Sequence, residues 1–205
     1  MRRYTLAGFV AGHPWTTGGQ PWTADLPGTV ATVSDCLTAF LPLGRDIEPW
    51  QQPLFEPWHR TLRQAARAAE RAPGSHVLSM SVPADGSDPL TTMIEEWIGD
   101  LPHPIRINLA HPAAAPPGTI RGHEVLGFSG GRFHSWLCYR LDIPAAAELG
   151  VQAAGNALLS TLDDARRVAD MANDNRGTPD GTPHDITWFP ALITEHHDAA
   201  PAPQR

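Results

Sequence analysis

RGHEVLGFSGGRFHSWLCYRL, residues 121–141, is the stretch that decides the fold. Two runs rich in aliphatic, aromatic and β-branched residues flank Gly130 and Gly131, and glycine adopts the positive φ angles of a two-residue turn without strain. The stretch therefore predicts a β-hairpin whose loop consists of these two glycines. We expect this hairpin to lie at the centre of the C-terminal half of the fold.

Because side chains alternate along a strand, the predicted hairpin has two different faces. Counting outward from the glycines places His123 opposite Cys138. The predicted core face, which Glu124 and Ser135 interrupt, holds Leu126, Phe128, Phe133, Leu137, Tyr139 and Leu141. The other face, which is too polar for a core, holds His123, Val125, Ser129, Arg132, His134, Trp136, Cys138 and Arg140. We expect any function of the hairpin to lie on this second face.

The rest of the chain predicts an α+β fold. The expected strands are residues 2–10, 75–83, 105–109 and 186–194, the last with Pro190 at an edge or a bulge. The expected helices are residues 32–41, 58–71, 162–172 and a segment that begins at Pro89. This order indicates a mixed or mainly antiparallel sheet of about five to seven strands with helices packed on one side.

Length and punctuation predict one domain. A chain of 205 residues is long enough to bury a substantial core. We expect a single α+β domain over residues 1–197, with one candidate internal boundary in the Pro- and Ala-rich connector near residues 111–119. Residues 198–205 are expected to form a disordered tail.

The charge pattern limits the partners. The formal net charge is −7, and every one of the 15 basic residues is arginine. An acidic chain disfavours general nucleic-acid binding, which needs a basic surface, and suits a basic protein partner. The absence of lysine excludes Schiff-base chemistry and, together with abundant Ala, Pro, Gly and Arg, is typical of a GC-rich bacterial source.

The two cysteines predict the compartment. Cys36 and Cys138 form no CxxC motif and no ladder of regular spacings, which argues against a disulfide scaffold and a structural zinc finger. No apolar run approaches the length of a membrane span, and the N-terminal residues indicate a strand rather than a signal peptide. We therefore expect a cytoplasmic protein without a membrane partner.

The N-terminal loops are rich in tryptophan. Two similar units, HPWT at 13–16 and QPWT at 20–23, place Trp15 and Trp22 in a segment punctuated by Pro and Gly. A loop tryptophan can stack on a ligand or a sugar, although it more commonly pins its loop to the core. Trp15 and Trp22 are therefore candidate binding residues.

His123 and Cys138 offer the best local arrangement for catalysis. Opposed residues have Cβ atoms about 4.5–5.5 Å apart, so an imidazole there can lower the pKa of a thiol, and His134 lies on the same face. Burial is the commoner explanation, because catalytic cysteines usually lie in loops or at helix N-termini. A metal site on this face would need a third ligand, for which the candidates are His111, His184, His196 and His197. We expect neither a metal nor a cofactor.

The sequence contains no nucleophile elbow, no phosphate-binding loop and no dinucleotide fingerprint. The leading hypothesis is a non-catalytic binding protein, an acidic inhibitor or immunity-type partner of another protein, with Arg132, His134 and Trp136 at its interface. One alternative is a hydrolase or transferase that uses Cys138, His123 and His134, or a metal on the same face. The other is binding of a small ligand or carbohydrate through the tryptophan-rich loops.

Overall fold

Eight β-strands and five α-helices form the regular structure of the residues described by the computed structural model, which are 4–13, 15–16, 29–40, 58–85, 87–99, 103–177 and 183–197. The strands are β1 (Tyr4–His13), β2 (Trp15–Thr16), β3 (Thr29–Val30), β4 (Ala39–Phe40), β5 (His76–Pro83), β6 (Thr119–Ser129), β7 (Arg132–Ser135) and β8 (Thr187–His196). The helices are α1 (Leu62–Ala69), α2 (Ser87–Ile98), α3 (Pro104–Ala110), α4 (Asp142–Pro144) and α5 (Leu162–Asp174). A 3₁₀ helix (Trp136–Tyr139) follows β7, and one π-helical turn (Ala145–Leu149) follows α4.

Six of the strands form one antiparallel sheet in the order β4-β1-β5-β8-β6-β7, while β2 and β3 pair separately. The predicted α+β class and antiparallel sheet are confirmed. Because β8 lies between β5 and β6, the sheet joins the chain before residues 111–119 to the chain after them. Pro190 pairs with Val125 of β6 and lies beyond the last pair between β5 and β8, so its missing N–H costs the sheet no hydrogen bond to β5.

Both faces of the sheet are buried. The inner face is the one on which Val10, Leu78, Leu126 and Ile193 pack with side chains of α2 and α3. On the outer face, Val125 and Trp188 pack with α5, and the cluster of Phe9 and Val77 packs with α1. The helices therefore contribute to both faces rather than to one. Among the described residues, every helix falls short of the length and apolarity that a membrane crossing requires.

Local signals explain where most helices begin. Thr61 and Gln64 form a capping box at α1, and the Thr161 hydroxyl accepts the Asp164 N–H at α5. The predicted strand at residues 105–109 is wrong, because this run is α3, with His103 as its N-cap and Pro104 in its first turn. A short apolar run does not distinguish a strand from a helix, and Pro at the first helical position was the better signal.

The predicted helix at residues 32–41 is also wrong. Residues 31–38 are irregular, with one turn at residues 35–37, and β4 follows. Asp35 donates its N–H to the Phe133 carbonyl at 2.8 Å, and its carboxylate accepts the Phe133 N–H at 2.6 Å. These contacts to β7 replace helical hydrogen bonds, since Asp bonds readily to nearby backbone groups.

The outer strands of the sheet are short, and other segments supply their missing hydrogen bonds. β4 pairs only with residues 12 and 13 of β1. Further along β1, Phe9 exchanges two backbone hydrogen bonds with His59, and the Leu6 N–H donates to the Ala113 carbonyl at 2.8 Å. On the other side of the sheet, His123 of β6 exchanges backbone hydrogen bonds of 2.8 and 2.7 Å with Leu159.

Candidate functional site

The hairpin has the predicted register only near its turn. Phe128 pairs with Phe133 and Leu126 with Ser135, as expected. β7 then ends, and the Ser135 hydroxyl caps the 3₁₀ helix by accepting the Leu137 N–H. The predicted pairing of His123 with Cys138 is therefore wrong, because the chain leaves the strand at Ser135 and Cys138 lies in that helix.

Cys138 forms a disulfide with Cys36, which lies 102 residues earlier in the chain. The sequence did not predict this bond, since the spacing of the two cysteines argued against a disulfide scaffold. A disulfide sulfur has no thiol to ionise, so Cys138 cannot act in this form as a nucleophile with His123 or His134. Spacing alone did not reveal the pair, since two distant cysteines carry no pattern.

Trp136 is fully buried, with 0% of its surface exposed, so its predicted place on an exposed binding face is wrong. The alternation that predicted exposure ends at Ser135, and Trp136 instead joins Val125 and Trp188 in the cluster under α5. His123 is buried as well, and its Nε2 hydrogen bonds to the Tyr4 hydroxyl at 2.8 Å. The supposed binding face is thus largely an interior surface.

Arg132 and His134 remain at the surface near the hairpin turn. Arg132 is exposed, while His134 is half-buried and packs edge-on to Tyr139 with ring centroids 5.7 Å apart. Burial lowers the pKa of His134, and the backbone hydrogen bond at Ser129 partly opposes this effect. The binding role of Arg132 and His134 stays a prediction.

The predicted tryptophan site lies mainly outside the described residues. Trp22 is outside them, and only the backbone of Trp15 is described, in β2 opposite Val30. Of the candidate third metal ligands, His196 is buried. Its ring hydrogen bonds to the Ser79 hydroxyl at 3.0 Å and to the Pro117 carbonyl at 3.2 Å, so both ring nitrogens already have partners. Among the described residues, no group of three or more potential ligands is placed to hold a metal ion.

A cavity of about 500 Å³ lies on the inner face of the sheet, where β1 and β8 end and β5 and β6 begin. Its volume falls within the range of small-molecule binding sites. The cavity is lined by Val10, Gly12, His13, Val30, Ala31, Thr32, Thr38, His76, Leu78, Arg121, Gly155, Asn156 and Glu195. Apolar side chains form much of its wall, and a few polar groups converge in it.

Besides His13, three charged or ionisable side chains line this cavity and contact one another, one each from β5, β6 and β8. His76 Nδ1 hydrogen bonds to Oε1 of Glu195, and Arg121 Nε donates to Oε2 at 2.5 Å. Arg121 Nη2 forms an ion pair with the same Oε2, and His197 Nδ1 lies 3.4 Å from Oε1. We call His76, Arg121 and Glu195 the inner-face triad.

The inner-face triad keeps its carboxylate ionised. Burial alone would raise the pKa of Glu195, but hydrogen bonds from His76 and Arg121 overcome this effect and hold the pKa below its ordinary value. An ionised carboxylate only accepts hydrogen bonds, so His76 must donate from Nδ1. No described residue hydrogen bonds to Nε2 of His76.

The segment at residues 30–38, part of which lines the cavity, is linked to the hairpin region at two points. Thr32, which lines the cavity, donates its hydroxyl to Oε1 of buried Glu124 at 2.6 Å. Burial raises the pKa of Glu124 to about 7, although the hydrogen bonds of Thr32, Ser135 and Val33 oppose this rise. The Cys36–Cys138 disulfide holds the same segment at a second point.

No family model, no curated protein and no solved structure matches this chain.

Sequence reasoning missed the inner-face triad because three separate strands bring it together. His76 and Glu195 are 119 residues apart, and Arg121 and Glu195 are 74 apart. A partial signal existed, since all three are polar residues near the end of an expected strand. It could not be used without the strand order, which decides which strand ends are neighbours.

Proposed function

We propose that this chain is a non-catalytic binding protein for a small organic ligand, held in the inner-face cavity. The observation that carries the proposal is the position of the inner-face triad inside a cavity of ligand size with apolar walls. Such a combination of a concave apolar site and a few convergent polar groups is typical of ligand-binding sites. Binding of a small ligand was one alternative from the sequence, but the residues proposed here differ from Trp15 and Trp22.

Two described residues connect the cavity with the tryptophan-rich N-terminal segment. His13 belongs to the unit HPWT and lines the cavity, and Val30, which pairs with Trp15, lines it too. The proposed ligand therefore binds in the cavity rather than on Trp15 and Trp22. A Cys138-based enzyme has lost its nucleophile to the disulfide and is not proposed.

Titration with the neutral, apolar dye N-phenyl-1-naphthylamine tests the proposal. Its fluorescence should rise to saturation with one dye bound per chain, because the dye gains an apolar environment. Two cavity-filling variants, Ala31→Trp and Gly155→Trp, should abolish the signal, since both residues line the cavity. The second variant should still fold, because a Cβ atom added at Gly155 would have no other atom within 4 Å.

Ala110→Trp is the matched control, because Ala110 is exposed at the end of α3, away from the cavity lining. It should bind the dye as the unaltered chain does. Unsaturable dye binding, or equal binding by folded Ala31→Trp and Gly155→Trp variants, would refute the proposal. Circular dichroism establishes whether each variant is folded.

A second proposal, binding of a basic protein, is supported by one surface of α2. Trp97 keeps 49% of its surface exposed, and the neighbouring Glu95 and Glu96 are exposed too. An exposed aromatic residue beside carboxylates suits a basic interface, because the ring contributes contact area and the charges steer association. Trp97→Ala should then weaken capture of lysozyme, a basic probe protein, whereas Ile143→Ala, at another exposed apolar residue, should not.

We also propose an oxidising compartment for the folded chain. The Cys36–Cys138 disulfide supports this location over the cytoplasm expected from the sequence, because the cytoplasm keeps thiols reduced. Trapping of free thiols with a maleimide at the moment of cell lysis tests it. Two reactive thiols per chain would contradict the proposal.

A further inference from the structure

We propose that the ligand of the inner-face cavity carries one carboxylate head group on an apolar body. This inference rests on the proposed function and adds the chemical class of the ligand. It follows from which parts of the inner-face triad are accessible, how many hydrogen-bond donors remain, and what surrounds them.

The triad presents its donors to the cavity and keeps its acceptor behind them. The side chains of Arg121 and His76 are 36% and 41% exposed, whereas that of Glu195 is 4% exposed. Both oxygens of Glu195 already accept hydrogen bonds. A ligand entering the cavity therefore meets the guanidinium of Arg121 before the carboxylate of Glu195, and a guanidinium only donates, which favours a ligand that accepts hydrogen bonds.

Arg121 has donors to spare for such a ligand. A guanidinium carries five N–H groups in a planar fork, and Glu195 takes one from Nε and one from Nη2. The remaining edge of the fork matches the two oxygens of a carboxylate, which it can bind through two parallel hydrogen bonds. A neutral imidazole that donates from Nδ1 carries no proton on Nε2, so the hydrogen bonds that the triad offers to a carboxylate are those of Arg121.

The charges of the cavity limit the negative charge that a ligand can bring. Arg121 is the only described lining residue with a permanent positive charge, and Glu195 offsets it. A phosphate dianion would bring two charges to a site whose described lining residues include one arginine. One carboxylate, hydrogen bonded at both oxygens by Arg121, fits these residues better.

The rest of the cavity suits an apolar body. Val10, Leu78, Val30 and Ala31 line it as well, and Leu78 lies beside Glu195 in the sheet. Buried aliphatic side chains offer no hydrogen bonds to a polar body, while every CH₂ group that leaves water for such a wall gains about 0.8 kcal/mol. An amphiphilic monocarboxylate uses both the guanidinium and the apolar lining of the cavity.

Displacement of bound N-phenyl-1-naphthylamine by three unbranched compounds of eight carbon atoms tests the inference. Octanoate, 1-octanol and octylamine carry a head group that is anionic, neutral and cationic at pH 7. Octanoate should displace the dye at the lowest concentration. Octylamine should be the weakest, because the cationic donors of Arg121 face it and Glu195, the only carboxylate among the described lining residues, lies behind them.

Variants of Arg121 assign the preference to the triad. Arg121→Gln should weaken octanoate about tenfold to a hundredfold, which corresponds to the loss of hydrogen bonds to a charged group, and should leave 1-octanol unchanged. If that variant does not fold because Glu195 loses its partner, the double variant Arg121→Gln/Glu195→Gln removes both charges together. Arg121→Lys should keep part of the affinity for octanoate that Arg121→Gln loses. Arg63→Gln, at an exposed position of α1, should leave the affinity for octanoate unchanged.

The outcomes separate the two proposals. If the dye does not bind in the cavity, the proposed function fails and this inference fails with it. If the dye binds but octanoate has no advantage over 1-octanol or octylamine, or if octanoate keeps its advantage in the folded Arg121 variants, only the carboxylate assignment is overturned. An advantage that depends on Arg121 supports it.

Discussion

Glu124 is the most unusual single residue of the fold, because its carboxylate is buried without a described cationic partner. Its side chain accepts from the Thr32 hydroxyl and, at 3.4 Å, from the Val33 N–H. Such a group is costly when charged, and burial therefore favours the protonated form. The hairpin pattern already placed Glu124 on the core face, so the sequence contained this signal, but it did not identify Thr32 as the partner.

We predict that ionisation of Glu124 makes the folded chain less stable as the pH rises. The pKa of Glu124 is about 7 in the folded chain against 4.5 for a solvated glutamate, so the folded state binds the proton more tightly. The free energy of unfolding should therefore fall between pH 4.5 and 7, by roughly 3 kcal/mol at the most, at about 1.36 kcal/mol per pKa unit. Urea denaturation of the chain and of Glu124→Gln at several pH values measures this.

The comparison with Glu124→Gln is needed because other groups also titrate. Burial raises the pKa of Asp35 to about 6, which adds a slope of the same sign, and lowers that of His59 to about 4, which adds the opposite slope. Both remain in the variant. A difference in stability between the two proteins that does not change with pH would contradict the prediction.

Gly127 of β6 lies close to the side chains of Ile186 and Trp188, which pack on the outer face of the sheet. A Cβ atom at this position would lie 2.6 Å from Cγ2 of Ile186 and 2.9 Å from Cζ3 of Trp188. We predict that Gly127→Ala lowers the free energy of unfolding by about 1–3 kcal/mol through overpacking. Gly155→Ala is the matched control and should change it by less than about 0.5 kcal/mol, because its Cβ meets open space. Equal effects of the two substitutions on the urea midpoint would refute the explanation.

At the scale of elements, local patterns predicted those segments that are stabilised by their own sequence. The strand at residues 75–83, the strand at 186–194 and the helix at 162–172 are close to β5, β8 and α5. Each has a regular periodicity and clear boundary residues, which single-sequence reasoning detects. The described part of the expected helix at 32–41, residues 32–40, lacks such support, since Asp35 bonds to Phe133 and Cys36 forms the disulfide.

The disulfide joins two irregular elements, the turn at residues 35–37 and the 3₁₀ helix after β7. We predict that Cys36→Ser/Cys138→Ser lowers the free energy of unfolding by about 2–4 kcal/mol, as is typical when a cross-link is removed from the unfolded chain. The dye should also bind more weakly, because Cys36 lies in the segment that supplies Val30, Ala31, Thr32 and Thr38 to the cavity lining. Urea denaturation and dye titration measure the two effects.

Reduction of the unaltered chain with dithiothreitol provides the control. It should shift the urea midpoint to that of the double serine variant, and should not shift the midpoint of the variant itself. A reduced chain as stable as the oxidised one would show that the disulfide contributes nothing to stability.

At the scale of the whole molecule, one sheet contains strands from both sides of residues 111–119. We predict a single cooperative unfolding transition for the chain, with the calorimetric and van't Hoff enthalpies equal, because β8 cannot leave without uncovering both β5 and β6. Differential scanning calorimetry tests this. Two separable transitions would indicate two domains divided near residues 111–119.

The order of the strands is the part of the fold that local patterns do not contain. The sequence predicted most strands, yet the cavity depends on β8 lying beside β5 and β6 so that Glu195 meets His76 and Arg121. These contacts link residues 119 and 74 positions apart, and no local periodicity reports on them. The candidate site therefore becomes visible only with the tertiary structure.

The segments that pair with the free edges of β1 and β6 affect how the protein aggregates at high concentration. β1 and β6 would otherwise present unpaired N–H and C=O groups, to which a strand of another molecule could add. His59, Ala113, Leu159 and the short strands β4 and β7 occupy these groups in separate pieces, none of which forms a long straight edge. Aggregation by strand addition would first require several independent segments to detach, so the folded chain is protected against the route that leads to amyloid.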